Sequence, residues 1–301
     1  MANNNNIKKL LKSPEYNIEK KLADGTFGTV FKGWRACALK CITLDDLQEN
    51  DHENKVKIWQ VESLSLLTLR GHSRIVFYNK FFGSDDFNKL WVEFDFCEGA
   101  TNLNKYFWKK MFKKPCKETK HRFMVEIADA LAFLHNHGVL HRDLKPDNIM
   151  VVENSGTGEA HMKVSDFGLA KVIAACKYGG NLQGYYEAAG TGTQYFMAPE
   201  LFDLHYTRSG DIFSLGLIFN ALLQGTTLSS KLFLVVKVNG GPPGRWSHDK
   251  KANVELPENI ASCLSDTLKE LLKSMLAREF QKRPSADSVR SAILETSYKD
   301  L

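Results

Sequence analysis

A chain of 301 residues has the length of one large domain or two modest lobes, and 43% hydrophobic with 25% charged residues is the balance of an ordinary globular core. The net charge of +5 is too mild for the basic stripe of a nucleic-acid binder. Six cysteines (Cys37, Cys41, Cys97, Cys116, Cys176, Cys263) show neither a C-x-x-C pair nor metal-ligand spacing, so a disulfide framework is not expected, and the protein is placed in a reducing, intracellular compartment, cytoplasm or nucleus. The opening MANNNNIKKLLKSPEY has neither the apolar core of a signal peptide nor a Met-Gly start, and residues 1–15 read as a flexible tail. The longest apolar tract, Leu215 to Leu223, is broken by Asn220 and too short to span a bilayer, so it reads as a core helix and no membrane span is expected.

From Tyr16 to about Phe96 the pattern is mainly that of strands. YNIEKKLADGTFGTVFKGW forms two alternating runs around a glycine turn, and RACALKCITL is a third strand. Alternation puts Ala38 and Lys40 on one face of that strand, with Cys37, Leu39 and Cys41 on the other. VKIWQVESLSLLTLR carries apolar residues at helical spacing; RIVFYNKFFG and KLWVEFDF then return to strand. Beyond CEGATN the character changes, with HRFMVEIADALAFLHNHG an amphipathic helix and mostly helical pattern from Asp203 onward, punctuated by GGPPGRW (Gly240 to Trp246). The expected fold is α+β and two-lobed, with a strand-rich N-lobe over 16–96, a helical C-lobe over 97–301, and the active site between them.

HRDLKPDNIM, His141 to Met150, is the most informative segment. An Asp followed two residues on by Lys, and an Asn beyond, suits phosphoryl transfer: the Asp orients an attacking hydroxyl, the Lys neutralises moving phosphoryl charge, and the Asn offers an oxygen to a magnesium ion. Here the chain resembles the eukaryotic protein kinases, and the likeness runs in order from about Tyr16 to about Ala292. The resemblance implies Asp143 and Lys145 as catalytic, with Lys40 of CALK gripping the α- and β-phosphates and Glu62 paired to it, Glu53, which lies before the strongly periodic part, being the rival. It implies Asn148 and the Asp166 of SDFGLAK as ligands of Mg2+, with Mn2+ as an alternative. GTGTQYFMAPE resembles the end of an activation segment, in which Thr193 would touch the catalytic Asp and Lys. Asp211 of SGDIFSLG and the pair Glu200 and Arg283 would be structural, and Phe213 stands where the family usually has Trp.

The nucleotide site implied by the resemblance takes Leu22, Ala23, Gly25, Phe27, Gly28 and Val30 from the glycine loop and Ala38 and Lys40 from the third strand. Phe94 would guard the back of the adenine pocket, and backbone groups of Asp95 and Cys97 would bond the base. Ala23 departs from the family, which has glycine there; an extended backbone at that position would make the change cheap. Asp24 would weaken nucleotide affinity if it pointed toward the phosphates. Thr101 or Asn102 lies where many kinases carry an acidic ribose contact.

Lys145 after HRDL and Gly192-Thr193 before APE resemble serine/threonine kinases, so ATP as phosphoryl donor and Ser/Thr hydroxyls of proteins as acceptors are implied. LWVEFDFCEG, ALAFLH and GDIFSLG look closest to the LIM-domain-protein-interacting kinase group. Arg142 calls for an anion on the activation segment, either a phosphate on Thr191, Tyr185 or Tyr186 or the carboxylate of Glu187, and a regulatory protein partner is a further expectation. The histidines of HNHGVLH straddle a helix end and read as architecture rather than a metal site. The rival reading is a nucleotide-binding pseudokinase scaffold acting through partners, and a small-molecule kinase is the third.

Overall fold

The computed structural model describes residues 18–25, 28–33, 37–43, 63–83, 89–109, 115–177, 181–188, 191–224 and 236–301. Phe27, Glu53 and Glu62 lie outside them. In chain order the strands are β1 (Ile18–Gly25), β2 (Gly28–Gly33), β3 (Cys37–Thr43), β4 (Tyr78–Gly83), β5 (Lys89–Asp95), β6 (Thr101–Asn102), β7 (Ile149–Glu153) and β8 (Ala160–Val164). The helices used below are α1 (Leu103–Lys109), α2 (Lys117–Asn136), α3 (Leu169–Lys177), α4 (Leu182–Ala188), α5 (Thr191–Gln194), α6 (Arg208–Gln224), α7 (Pro243–Lys250), α8 (Glu258–Ala261), α9 (Asp266–Met275) and α10 (Ala286–Glu295). No helix among the described residues is long and apolar enough to cross a membrane.

The chain divides into two compact units, and the division is not a single cut. The first takes residues up to Gly71, Val76–Glu98 and Lys171–Ala189; the second takes His72–Ile75, Gly99–Ala170 and Gly190–Leu301.

The first unit is built on an antiparallel sheet of order β1-β2-β3-β5-β4. Its strands are short and rich in β-branched and aromatic residues, which suit a pleated, half-buried surface. On one face Phe31, Cys37, Leu39, Cys41 and Trp91 form an apolar cluster, joined by Ile18 and Phe82. Phe82 stacks on Trp91 with ring centroids 6.2 Å apart. Cys37, Leu39 and Cys41 therefore share the face that the period of two assigns them, and Lys40, on the opposite parity, is only half-buried. A helical stretch at 63–67 buries Leu66 and lies within the segment whose spacing reads as helix.

The second unit packs helices around a buried α6 and a small sheet of order β6-β7-β8. Helix α6 is apolar on every side, as a core helix should be, and Ile212, Phe213, Leu215, Leu217, Ile218 and Phe219 are all buried. Helix α2 lies against β8 and α10. Glu126 sits on its apolar stripe, where a bare carboxylate would be costly. Three donors satisfy it: Arg74 at 3.0 Å, His161 Nδ1 at 2.6 Å and the Met162 amide at 2.6 Å. The Val164 amide donates to the Arg74 carbonyl at 2.9 Å, and Ile75 bridges Val164 in parallel. Those bonds tie the short segment His72–Ile75 to the second unit.

Candidate functional site

Asp211, near the start of α6, organises the loop that follows α2. Its Oδ2 accepts the His141 amide at 2.8 Å and lies 2.8 Å from His135 Nε2, while Oδ1 accepts the Arg142 amide at 2.9 Å. Burial opposes its charge, but these donors, His135 foremost, outweigh it and hold the carboxyl below the ordinary carboxylate range. Arg142 sits at φ +66°, a conformation unfavourable for a non-glycine residue and held here by the carboxylate. His141 is fully buried; desolvation pushes its imidazole below the usual histidine range. Its Nδ1 accepts the Asp143 amide at 3.3 Å and its Nε2 lies 3.0 Å from the Ser165 carbonyl, so His141 joins the loop to the Asp166 turn.

Asp143, Lys145 and Asn148 come together on this frame. Lys145 Nζ lies 2.9 Å from Asp143 Oδ2 and donates to Thr193 Oγ1 at 2.7 Å. Asn148 Nδ2 donates to the Asp143 carbonyl at 2.7 Å and reaches its Oδ2 at 3.3 Å. Pro146 opens the 3-10 turn Pro146–Asn148, which delivers Asn148 to this position. With its side-chain nitrogen bound to Asp143, Asn148 has Oδ1 as its remaining side-chain ligand atom. The Ser165 amide and hydroxyl both donate to the main-chain carbonyl of Asn148, at 2.9 and 3.0 Å, which brings Asp166 close to Asn148. Asp166 adopts φ +58° and Gly168 φ +67°, with the Gly168 amide donating to the His141 carbonyl at 3.3 Å. One amide oxygen and one carboxylate are hard donors that suit a magnesium ion, and the donor set fits it.

Asp147 is held from α1. Asn104 Nδ2 donates to its Oδ2 at 2.8 Å and Asn102 Nδ2 to its Oδ1 at 3.3 Å, while burial raises its carboxyl above the ordinary range. Asn102 Oδ1 also accepts the Lys105 amide at 2.9 Å, capping α1. Both ends of the Asn102 side chain thus have partners within the unit, at the position where a ribose contact is looked for.

In the first unit β1 and β2 form the glycine hairpin, Gly25 pairing with Gly28. Ala23 lies within β1 opposite Val30, beside a register shift, and its φ is not positive. Alanine costs little in such a strand. Gly28 differs: its φ is +155°, and a Cβ there would stand 1.9 Å from the Cys41 carbonyl oxygen on β3. The glycine is required by the approach of β2 to β3. The Asp24 carboxylate is bound to Lys21 at 2.5 Å and accepts Thr29 Oγ1 at 2.9 Å; Lys21 first and Thr29 second hold it below the usual range. Leu22 is exposed and Val30 half-buried. Ala38 pairs with Phe94, and Lys40 with Val30 and Val92. The Asp95 amide already donates to the Phe77 carbonyl at 3.0 Å, and its carboxylate accepts Asn79 at 3.1 Å. Cys97 follows at the end of the unit, half-buried.

Among the described residues, the stretch between Gly168 and Tyr195 is largely helical, in α3, α4 and α5. Leu169 begins α3 directly after Gly168, because LAKVIAACK has no Gly or Pro to stop it and its Leu169, Ala170, Val172, Ile173 and Ala174 are buried. In α4 Tyr185 and Tyr186 are 3% and 2% exposed, with their rings edge to face at 5.3 Å. Neither phenol is presented for modification in this conformation, so the expectation that they receive phosphate requires α4 to open first. Glu187 is exposed and its carboxylate accepts Gln183 Nε2 at 2.9 Å. Thr191 starts α5.

Glu200 and Arg283 form a buried two-point pair, Nη1 to Oε1 at 2.7 Å and Nη2 to Oε2 at 2.8 Å. Arg283 also donates to the carbonyls of Ala277, Ser209 and Arg278 and lies over the Phe213 ring at 4.8 Å. Every guanidinium donor direction is used, which is what a buried arginine needs.

The family model described as protein kinase domain matches residues 16–294. The chain is also 31% identical over 215 residues to a Dictyostelium discoideum protein named "Probable serine/threonine-protein kinase gdt4". That alignment covers 70% of this chain and 12% of the relative, so the chain spans about an eighth of its length.

Proposed function

Because the chain belongs to the protein kinase family, we propose that it transfers the γ-phosphoryl group of ATP to serine or threonine hydroxyls of protein substrates. The observation that carries this reading is the linked set Asp143, Lys145, Asn148 and Thr193, assembled on Asp211. In the proposed reaction the acceptor hydroxyl oxygen bonds to the γ-phosphorus as the bond to the β,γ-bridging oxygen breaks, and ADP leaves. Asp143 takes the hydroxyl proton, and the Lys145 ammonium offsets charge on the phosphoryl in transit. Asn148 and Asp166 would hold Mg2+, or Mn2+, which when bound neutralises phosphate charge.

The serine/threonine choice is supported by Lys145 and by the name of the Dictyostelium relative. The pseudokinase alternative draws on Ala23, whose ordinary strand backbone gives it no support. A place in the LIM-domain-protein-interacting kinase group, a regulatory partner, and a cytoplasmic or nuclear setting are proposals on sequence alone.

The test is phosphate transfer from Mg-ATP to the protein itself and to a generic basic protein, with Asp166→Asn as control. Wild type should transfer, and the control should fall by roughly a hundredfold or more, about 3 kcal/mol of transition-state stabilisation. A wild type as silent as the control, with no nucleotide binding, would reject the kinase reading in favour of a partner-binding scaffold.

A further inference from the structure

The stretch Val238–Trp246 has no part in the chemistry above, yet it is built as a rigid lead-in. Val238 and Gly241 exchange both backbone hydrogen bonds, at 3.1 and 3.0 Å, and close a two-residue turn. Its corners, Asn239 and Gly240, have φ of +50° and +80°, the paired left-handed conformations that an Asn-Gly dipeptide adopts readily. Pro242 follows at φ −63°, and Pro243 takes the first position of α7, where its missing N–H is no loss.

The next residue is Gly244. A Cβ on it would stand 2.0 Å from the Met197 carbonyl oxygen, 3.1 Å from that carbonyl carbon and 3.3 Å from the Ala198 carbonyl carbon. Glycine is a poorer helix former than alanine, so in open space Gly244→Ala would strengthen α7. Against that carbonyl it must push the helix and the Met197 backbone apart. Two neighbours extend the contact: Arg245 lies over the Phe202 ring at 5.2 Å, and His248 Nε2 is 3.1 Å from Asp203 Oδ1.

Met197 lies four residues beyond Thr193, on the same tightly bonded stretch. The Phe196 amide donates to the Thr193 carbonyl at 3.0 Å, and Ser214 Oγ on α6 donates to the Phe196 carbonyl at 2.6 Å. Residues 194–198 are therefore held by α6 on one side and by α7 on another.

We propose that Gly244 is a positioning residue for the acceptor protein. By seating α7 flush on Met197 and Ala198 it fixes the stretch that begins at Thr193 and, on the kinase reading on which this inference rests, presents the acceptor chain to Asp143. The role concerns the acceptor and leaves the nucleotide alone.

The experiment is steady-state kinetics of wild type and Gly244→Ala with a generic basic protein as acceptor, beside slow ATP hydrolysis without acceptor and a thermal melt. The acceptor KM should rise about tenfold, since small misplacement near reacting groups is costly, while the ATP KM and hydrolysis stay within about twofold. An unmoved acceptor KM, or ATP KM and hydrolysis shifting by the same factor, would overturn the seat. If Gly244→Ala does not fold, the pair Arg245→Ala/His248→Ala loosens α7 without a clash and carries the same expectation and the same overturning result. Wild type that hydrolyses ATP but phosphorylates nothing would remove the kinase reading and the seat together; wild-type transfer with an unmoved acceptor KM removes the seat alone.

Discussion

Lys145 and Thr193, 48 residues apart, share a 2.7 Å hydrogen bond, and the same ammonium lies 2.9 Å from Asp143. One cation thus ties Thr193, in the stretch proposed as the end of an activation segment, to the proposed catalytic carboxylate. The hydroxyl is buried, so its loss leaves the ammonium with a missing acceptor rather than a water in its place.

Thr193→Val keeps the shape and deletes the acceptor. A hydrogen bond to a charged group contributes roughly 1.5–3 kcal/mol, so kcat should fall about 10- to 100-fold. The ATP KM should hold, because nothing that binds nucleotide has changed, and Thr193→Ser should restore most of the rate. Equal losses in kcat from Val and Ser would show that packing, not the hydroxyl, matters at this position.

Legibility in the sequence followed the range of the interaction. Alternation along CALKCIT is local, and it sorted Cys37, Leu39 and Cys41 from Lys40 correctly because a strand repeats every two residues. HRDLKPDN is also local, since Asp143, Lys145 and Asn148 meet within a single loop. Glu126 was not legible. A glutamate on an apolar stripe gives no sign of Arg74 and His161, which reach it only through the fold. The Asn102–Asp147–Asn104 cluster is hidden for the same reason. Helix α3 does carry a local signal, the run LAKVIAACK with no Gly or Pro to stop a helix, whereas α4 contains Gly184 and has no such signal.

Ala23 and Gly28 sit in one hairpin and should answer oppositely to exchange. Ala23→Gly should change neither the ATP KM nor the melting temperature much, since β1 is extended there and the cost of a strand glycine is only about 0.5–1 kcal/mol. Gly28→Ala should destabilise by roughly 2 kcal/mol or more, because the new methyl meets the Cys41 carbonyl with backbone on both sides. Calorimetry of both variants checks this. A Gly28→Ala protein that melts with wild type while losing ATP affinity would assign the glycine to the phosphates instead of the sheet.

Asp211 accepts the amides of His141 and Arg142 and faces His135. Asp211→Asn replaces one oxygen with an NH2 that must point at a donor, leaving a buried clash of like groups. The expected cost is roughly 2–4 kcal/mol of stability, with activity falling further because Arg142 loses the bond that holds its strained φ. The pH dependence has a definite sign. The native carboxyl is held below its usual range, so its stabilisation is present above the unfolded carboxylate value of about 3.9 and is lost as pH falls through the lower folded value. Wild type should therefore lose more stability than Asp211→Asn as pH drops from 6 to about 3, and the gap between them should narrow. Denaturant midpoints at a series of pH values measure it directly. A gap that stays constant across that range would mean that the carboxylate's charge is not what stabilises the loop.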